Sequence, residues 1–282
     1  MREQTVRISV LVENSVKQQS LLAEHGMAFW IETAGRRILF DTGQGMVLQH
    51  NANTLGIALS TADDVVLSHG HYDHTGGLYQ ALDSFKDAHV YAHPAAFTPR
   101  FFQNPDKKSV RSVGSPFSSP EDLRGRVGQL VLTGAKPVQI ADGIRLTGEI
   151  PRRNDYEDTG GAFYLDEACS QPDLLPDDQA LFMETARGMI VLLGCAHSGV
   201  VNTLDHIRTL TGCTRIHAVL GGMHLLAADE NRLRRTIQAL REAEVQKVGL
   251  AHCTGFAAMA RLYTELPNRC FPCVAGTQVT FY

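Results

Sequence analysis

The sequence predicts an α+β fold in which chemically reactive side chains follow buried strands. Short runs of β-branched and aliphatic residues, which are typical of buried strands, occur in both halves of the chain. Helix-like segments follow several of these runs, and histidines stand where four of the runs end. The 282 residues contain no repeat, low-complexity stretch or linker, so we expect a single domain spanning residues 1–282.

The individual elements are placed by hydrophobic periodicity and by turn residues. Strands are predicted at Val6–Val12, Met27–Thr33, Arg37–Phe40, Ala88–Ala92, Gln129–Leu132, Val138–Ile140, Ile144–Thr147 and Gln278–Tyr282. Helices are predicted at Met46–Leu55, Gly77–Phe85, Val200–Leu210, Asp229–Glu244 and Gly255–Leu266. The acidic stretch Asp166–Asp178 lies between apolar runs and is interpreted as a hairpin loop.

The most distinctive motif is SHGHYDHTGG at Ser68–Gly77, directly after the apolar run Val65–Leu67. Three imidazoles and one carboxylate fall within six positions, and these are ligands that zinc and similar metals prefer. Because a buried strand precedes them, the ligands are expected on a loop whose position is fixed by the rigid sheet. The motif predicts a metal site, and the weaker alternative is a polar strand-to-helix loop.

The spacing of this motif indicates two metal ions. In an extended segment His69 and His71 project to the same side, because side chains alternate along a strand. Asp73 shares that side only while the extension lasts, and His74 must turn away. One tetrahedral ion does not need four ligands from one loop, whereas two ions about 3.5–4 Å apart do, with further ligands from later in the chain.

Three later apolar runs also end in a histidine and are followed by helix-like segments. A single histidine at a strand end is as often structural as functional, but three in succession indicate a shared site. His25, between Glu24 and Gly26, is kept as a candidate pocket residue. The histidines of the three runs are His197, His224 and His252.

These motifs resemble the metallo-β-lactamase superfamily, whose hallmark is His-x-His-x-Asp-His after a strand. An earlier hallmark, an aspartate at a strand end, matches Asp41. More narrowly, the chain resembles the branch of 7,8-dihydropterin-6-yl-methyl-4-(β-D-ribofuranosyl)aminobenzene-5'-phosphate synthase-like proteins. The closer resemblance covers essentially the whole chain and implies the family's four-layer αββα sandwich. The segments that carry it are Leu39–Gln44, Leu67–Leu78, Thr147–Arg152, Gly194–Gly199, Gly221–Leu225 and His252–Gly255.

The resemblance also implies a ligand set. Asp41 would accept an N–H from a ligand imidazole and so fix its tautomer. The superfamily's usual bridging aspartate has no obvious counterpart, because Gly221–His224 occupies that stretch. The second site is therefore expected to be weaker, with a single metal ion or unequal occupancy of two sites. The implied ligands are His69, His71 and His197 for a first metal, and Asp73, His74 and His252 for a second.

Four residues are assigned roles toward the substrate. Asp73 would both ligate a metal and orient the attacking group. His224 would ligate, donate a hydrogen bond to an oxyanion, or act as a general acid, and a catalytic role is favoured. Glu149 and Arg152 are predicted to bind substrate.

A loop-rich insertion at about 94–128 is predicted near the mouth of the active site. Between Arg100 and Arg126 it has six basic and three acidic side chains, a local charge of six minus three, or +3. One interpretation is a solvated surface loop, and the other is a lid that attracts an anionic substrate such as a phosphate. The basic side chains are Arg100, Lys107, Lys108, Arg111, Arg124 and Arg126.

Composition limits the remaining alternatives. A net charge of −4 argues against general binding to nucleic acid or to a membrane surface, and no apolar stretch approaches transmembrane length. The first residues open a predicted strand rather than an export signal, so a cytoplasmic location is expected. The six cysteines are then thiols, and no role is assigned to Cys270 and Cys273. The oligomeric state is left open, with a homodimer among the alternatives.

The predicted function is that of a metal-dependent hydrolase. One or two Zn²⁺ ions, with Mn²⁺ or Fe as alternatives, would supply a metal-bound hydroxide that attacks a small anionic substrate bearing phosphate or carboxylate. A second hypothesis is the transferase-like synthase reaction that the narrower resemblance implies. A third is a non-catalytic metal-binding sensor.

Overall fold

The computed structural model describes residues 5–33, 35–106 and 109–282. The strands in chain order are β1 (Val6–Val12), β2 (Ala28–Thr33), β3 (Arg36–Phe40), β4 (Asp64–Val66), β5 (His89–Ala92), β6 (Phe101–Gln103), β7 (Val110–Ser112), β8 (Gln129–Leu132), β9 (Val138–Ala141), β10 (Ile144–Leu146), β11 (Phe163–Tyr164), β12 (Leu181–Thr185), β13 (Gly188–Leu193), β14 (Ile216–Gly222), β15 (Lys247–Ala251), β16 (Cys270–Pro272) and β17 (Gln278–Phe281). The helices are α1 (Leu48–Thr54), α2 (Tyr72–Gln80), α3 (Val200–Thr211), α4 (Glu230–Glu242) and α5 (Phe256–Glu265).

The strands form two large sheets, in the orders β17-β1-β2-β3-β4-β5-β8 and β16-β15-β14-β13-β12-β10-β9. Side chains alternate between the two faces of each strand, and both faces are buried. In β3, Ile38 and Phe40 pack between the two sheets. Leu39 points the other way and packs in a cluster with Leu48 of α1 and Leu78 of α2.

The second sheet is built in the same way. Leu192 of β13 packs between the sheets, whereas Val191 packs outward in a cluster with one leucine from each of the last three helices, Leu204, Leu240 and Leu262. Helices therefore cover the outer face of each sheet, and a third core fills the space between the sheets. The predicted four-layer αββα sandwich is confirmed.

Parallel pairing brings the chemically important loops together. β3, β4, β5 and β8 run parallel to one another, as do β13, β14, β15 and β16. The carboxyl ends of parallel strands meet at one edge of a sheet, which is where α/β proteins commonly place their sites. Asp41 and Ser68 follow strands of the first sheet, and His197, His224 and His252 follow strands of the second.

The metal-ligand motif is more helical than predicted. Helix α2 begins at Tyr72 rather than at Gly77, so Asp73 and His74 lie in its first turn instead of on a loop. The glycine does not mark the start of the helix. It permits close packing, since a Cβ at Gly77 would lie 1.9 Å from the carbonyl oxygen of Thr42.

The insertion at 94–128 is also more ordered than predicted, because β6 pairs with β7 and with β11 in a third sheet. Its Lys107 and Lys108 lie outside the described residues. The prediction that Arg100 is a surface cation is wrong, because its side chain is fully buried. Its guanidinium pairs with Asp173 at 2.7 Å and with Asp177 at 2.5 Å. A buried guanidinium needs such partners to offset its desolvation.

The hairpin loop predicted in the acidic stretch 166–178 is confirmed for its first part, because the chain after β11 turns back and runs antiparallel to it. The N–H of Leu165 donates to the carbonyl of Gln171 at 2.8 Å, and the N–H of Asp173 donates to that of Phe163 at 2.9 Å. Tyr164 and Pro172 form an antiparallel bridge between the two segments.

Strand β16, which contains Cys270, was not predicted. Burial raises the pKa of the Cys270 thiol to about 11 and that of Cys273 further, so both are poor nucleophiles at neutral pH. Among the described helices, every one is too short or too polar to cross a lipid bilayer.

Candidate metal centre

The centre is organised around the buried carboxylate of Asp41. Its Oδ1 accepts the backbone N–H of Ser68 at 2.7 Å, and its Oδ2 accepts the Ser68 hydroxyl and the His74 Nδ1–H, both at 2.7 Å. Because the Ser68 hydroxyl donates to Asp41, its lone pair is available to accept the Nδ1–H of His69 at 2.9 Å. When these two imidazoles are neutral, Asp41 thus sets their tautomer and leaves a lone pair on the Nε2 of each.

Two further histidines are oriented in the same way by other parts of the chain. His197 donates its Nδ1–H to the carbonyl of Thr159 at 2.7 Å, and His252 donates its Nδ1–H to Asn14 Oδ1 at 2.9 Å. The backbone N–H of His252 also donates to Glu13 Oε1 at 2.7 Å. The Nε2 of His197 is buried and has no hydrogen-bond partner among the described residues. A buried nitrogen of this kind is expected to have a partner that the polypeptide does not supply.

The inward-facing atoms of His69, His71 and His197, the first ligand set, lie within 4.8 Å of one another. Two atoms of this set, His69 Nε2 and His71 Nδ1, are 3.0 Å apart. Nitrogens bound at 2.0–2.1 Å to a tetrahedral zinc are separated by about 3.3 Å. The separation of His69 and His71 is therefore within a few tenths of an ångström of that expected for two ligands of one such ion, and His197 lies close enough to be a third.

The second ligand set consists of Asp73, His74 and His252. Asp73 Oδ2 lies 3.4 Å from His252 Nε2 and 4.0 Å from His74 Nε2. His25 joins this set, because its Nε2 lies 3.1 Å from Asp73 Oδ2 and its ring centroid is 4.7 Å from that of His252. The structure thus brings all six predicted ligands together and places the candidate pocket residue His25 beside them.

The electrostatics of the centre favour neutral imidazoles in the first ligand set. Burial, together with neighbouring imidazoles and other cationic groups, holds the pKa of His69, His71 and His197 well below the ordinary value. Burial also lowers the pKa of His74, but the nearby Asp41 and Asp73 carboxylates outweigh that effect and raise it to about 9. Neutral imidazole is the form that binds a metal ion.

The strand ends around the centre adopt unusual backbone conformations. Left-handed φ angles are uncommon for residues other than glycine, and they cluster at functional sites because surrounding contacts must hold them. Here they reverse the chain directly after a strand and turn side chains toward the centre. The residues are Asp41 (59°), Ala196 (53°), His224 (45°) and His252 (51°).

Two adjacent carboxylates support the two halves of the centre. Asp177, held by the buried Arg100, accepts the backbone N–H of Gly70 at 2.7 Å. Its neighbour Asp178 accepts the backbone N–H of Ser198 at 2.7 Å. The same short segment therefore fixes the motif loop of the first sheet and the loop that carries the third histidine ligand.

The third sheet, to which the insertion contributes β6 and β7, lies beside the first ligand set. The ring centroid of Phe163, on β11, is 4.7 Å from that of His71 and 5.3 Å from that of His197. Phe102 of β6 lies 5.3 Å from Phe163, and the guanidinium of Arg111 stacks over Phe102 at 5.3 Å. The third sheet thus forms an aromatic wall beside the centre, with an exposed cation on its outer side.

The residues predicted to face the substrate fall into two groups. His224 is adjacent to the centre, since its ring is 4.4 Å from that of His197 and its buried Nδ1 has no partner in the described chain. Arg152 instead donates to the backbone carbonyl of His197 at 2.7 Å, which makes it a support for that ligand. Glu149 pairs with His93 at 3.2 Å, at the end of β5.

Sequence reasoning missed several residues of the centre. Ser68 stands inside the recognised motif but was not assigned a role. Glu13 and Asn14 directly follow β1, so they show the same pattern of polar residues after a buried strand that identified the histidines. Cys195 has no predicted role beyond that of a thiol. The role of Asp177 had no local signal, because its partner Arg100 is 77 positions away.

The fold and the convergent imidazoles define an αββα protein with a candidate metal-binding centre. A match to the Lactamase_B family, described as the metallo-beta-lactamase superfamily, covers residues 22–203. The chain belongs to the metallo-beta-lactamase superfamily.

Similar proteins agree with the superfamily and with the narrower branch that the sequence resembles. The chain is 31% identical over 264 residues to the 7,8-dihydropterin-6-methyl-4-(beta-D-ribofuranosyl)-aminobenzene-5'-phosphate synthase of Methanocaldococcus jannaschii, covering 90% of this chain and 89% of that protein. The crystal structure of Tm1679, a metal-dependent hydrolase of the beta-lactamase superfamily, superposes with a TM-score of 0.81 at 28% identity, covering 97% and 98% of the two chains. Zn²⁺-bound PqqB from Methylobacterium extorquens shares the fold, with a TM-score of 0.60 at 12% identity over 97% and 99% of the chains.

Proposed function

We propose that this protein is a metal-dependent hydrolase that acts on a small anionic substrate. The observation that supports this most strongly is a set of four buried histidines that donate Nδ1–H to outer acceptors and direct Nε2 inward. A divalent ion, Zn²⁺ or alternatively Mn²⁺ or Fe, would be held there by one or both ligand sets. Such an ion supplies Lewis acidity and lowers the pKa of water from 15.7 to about 7. The histidines are His69, His74, His197 and His252.

The chain's own residues would position the reactants and move protons. Although burial opposes it, His74 and the hydrogen bonds from His25 and His252 hold the pKa of Asp73 well below its usual range. Asp73 therefore stays ionised and can orient an attacking group. About half of the His25 side chain is exposed beside Asp73, so it can exchange protons with solvent. His224, with a free Nδ1 near the first ligand set, can hydrogen bond a developing oxyanion.

The aromatic wall indicates how substrate is received. Phe163 would pack against an apolar or aromatic part of the substrate next to the ligands. Arg111 would attract an anionic group toward the wall, because it is exposed and stacked over Phe102. This arrangement fits a small-molecule partner, and the net charge of −4 disfavours nucleic acid.

The experiment is turnover by metal-stripped protein reloaded with Zn²⁺, Mn²⁺ or Fe²⁺. Phosphomonoester, phosphodiester, lactone and thioester substrates form the panel. We expect turnover of at least one class that disappears on chelation and returns with metal. We expect Arg111→Met to raise KM for that substrate about two- to fivefold, whereas Arg124→Met, on the same insertion, leaves KM unchanged. Metal binding without turnover of any class would favour a sensor instead.

A second candidate function is the synthase reaction. It is favoured by the synthase of Methanocaldococcus jannaschii, which is 31% identical over 90% of this chain. A dihydropterin and a ribofuranosylaminobenzene phosphate both contain a ring system that could pack on Phe163 and Phe102. Incubating the metal-loaded protein with a dihydropterin that carries a diphosphate leaving group on its 6-methyl carbon, and with a ribofuranosylaminobenzene phosphate whose amine displaces that diphosphate, tests this function directly. A condensed product, with no hydrolysis of the ester panel, would replace the hydrolase by the synthase.

A further inference from the structure

The sulfur of Cys195 lies between the two ligand sets. Cys195 follows β13, two residues before His197, and only 3% of it is exposed. Its sulfur and the ligand atoms of its neighbours form three clusters, each with all atoms within 4.8 Å of one another. The partners are His69 with His74, His197 with His224, and His252 with Cys253. Cys195 is therefore close to histidines of both sets.

The contact between Cys195 and His74 has the geometry of two ligands on one ion. The Sγ lies 3.2 Å from His74 Nε2, and the His74 Nδ1–H is already donated to Asp41. In the neutral form of His74, which is the form that binds a metal ion, the lone pair of Nε2 consequently faces the sulfur. A sulfur at 2.3 Å and a nitrogen at 2.0–2.1 Å from a tetrahedral zinc would be about 3.5 Å apart. The unpartnered Nε2 of His197 is an independent sign that the same space takes an ion.

Local backbone constraints direct Cys195 to this position. A Cβ at Gly194 would lie 2.0 Å from Ser68 Oγ, so this residue lets the end of β13 pack directly on the Asp41 cluster. The left-handed Ala196 then turns the chain so that Cys195 and His197 face the same centre. The neighbouring strand end contributes no side chain here, because a Cβ at Gly222 would lie 2.6 Å from Cys253 Sγ.

The charge of the centre also calls for a further anion. Two divalent ions bring four positive charges, and the six predicted ligands supply one carboxylate, Asp73, and five neutral imidazoles. Burying uncompensated charge is costly, so an anionic ligand shared by both ions would stabilise a two-ion centre. We propose that Cys195 binds as a thiolate that bridges the first and second ligand sets. Its thiol proton passes to solvent when the ions bind, and no redox step is involved.

The neighbouring Cys253 is in a different situation. Its Sγ accepts the backbone N–H of His224 at 3.3 Å and lies 3.7 Å from the carbonyl oxygen of Cys195, and the residue is partly exposed. These contacts connect two strand ends, β14 and β13. Cys253 therefore serves as a comparison for Cys195, and Cys213, between α3 and β14, serves as a remote control.

The inference rests on the proposed metal-dependent function, and reloading the stripped full-length protein with Co²⁺ tests the two separately. Thiolate bound to Co²⁺ gives an intense near-ultraviolet charge-transfer band, which nitrogen and oxygen ligands do not give. We expect wild type, Cys213→Ser and Cys253→Ser to show the band. We expect Cys195→Ser to lose the band and to bind one of the two ions at least about tenfold more weakly. Cys195→Asp should restore the stoichiometry without the band.

Each outcome decides between the proposals. If wild type binds no Co²⁺ at all, the proposed function fails. If it binds Co²⁺ without the band, or if the band survives in Cys195→Ser, only the bridging thiolate is overturned. If Cys195→Ser does not fold, the Cys253→Ser variant still decides between the two cysteines. A band that persists in Cys253→Ser is assigned to Cys195, whereas a band that is lost in Cys253→Ser is assigned to Cys253. If the metal-free protein turns over an ester and alkylation of Cys195 with iodoacetamide abolishes that activity, then Cys195 is a nucleophile. That result would overturn the bridging thiolate.

Discussion

The two halves of the candidate metal centre are built differently. In the first sheet, four predicted ligands come from the six residues His69–His74, at the end of β4 and the start of α2. In the second sheet, β13, β14 and β15 each deliver a histidine from their carboxyl ends, and the first of these strands also delivers Cys195. A contiguous motif fixes its ligand geometry locally, whereas dispersed ligands depend on strand register. The second half should therefore tolerate substitution of a single ligand better when a neighbour can replace it.

The two halves are nevertheless fixed by one segment. Asp177 holds the motif loop through Gly70, and Asp178 holds the opposite loop through Ser198. The charges of these two carboxylates are balanced differently, because Asp177 forms an ion pair with the buried Arg100. Burial instead raises the pKa of Asp178 to about 6. The halves thus share a scaffold but are expected to respond differently to mutation and pH.

The largest effect is expected from removing a ligand of the motif. His71→Ala should abolish metal binding at the first ligand set, and turnover should be lost with it. This loss should exceed the ~10–100-fold fall in metal affinity that is typical when a residue hydrogen-bonded to a ligand is removed. His252→Ala should cost less, because His25 already lies 3.1 Å from Asp73 and can take its place. Metal content and turnover measured on both variants, with circular dichroism to confirm folding, check this. Normal metal binding and activity in His71→Ala would refute the ligand assignment.

The next effect concerns the support of the motif loop. Arg100→Met leaves Asp173 and Asp177 as buried carboxylates without their cation, which should lower the free energy of unfolding by about 3–5 kcal/mol. Arg124→Met, which breaks an exposed pair with Glu121, should cost at most about 1 kcal/mol. Urea denaturation measures both variants. Equal losses would mean that the buried cluster does not hold the loop.

The support of the opposite half should be sensitive to pH. The pKa of Asp178 is about 6 in the folded chain against 3.8 ordinarily, so folding retains a proton that the unfolded chain releases. The stability contributed by that proton is complete below about pH 4 and is lost as the pH rises through 6, by on the order of 3 kcal/mol. Asp178→Asn should remove this part of the pH dependence, as measured by urea denaturation of chelator-treated protein from pH 4 to 7. Parallel profiles for the variant and wild type would contradict the explanation.

The smallest effect is expected from the outer acceptor of the first sheet. Asp41→Asn keeps a residue that tolerates the left-handed backbone, but its single carbonyl oxygen faces three donors from Ser68 and His74. Metal affinity should fall about 10–100-fold. Ser68→Ala should cost less, because the His74 contact remains. Competition with a chelator measures the metal affinity of the two variants. A larger loss of affinity in Ser68→Ala than in Asp41→Asn would show that Ser68 contributes more to metal binding than Asp41 does.

Much of the fold could be predicted because its elements are encoded locally. The boundaries of β1, β8 and α3 match within a residue, since alternating or 3.6-residue hydrophobic patterns identify them. The third sheet was missed because β6, β7 and β11 are two or three residues long and only their mutual pairing stabilises them. Arg100 was misassigned for a similar reason, as the carboxylates that bury it are more than 70 positions away.

The sequence by itself determined the class of the centre, because one short segment contains three imidazoles and a carboxylate, and their chemistry does not depend on distant residues. Tertiary structure alone decided which tautomer each imidazole adopts, which acid supports which loop, and that Cys195 stands between the ligand sets. Those features arise from contacts across tens to hundreds of positions, such as that of Cys195 with His74, 121 positions apart. Hydrogen-bond partners and sheet register set them, and neither is written in a local pattern of residues.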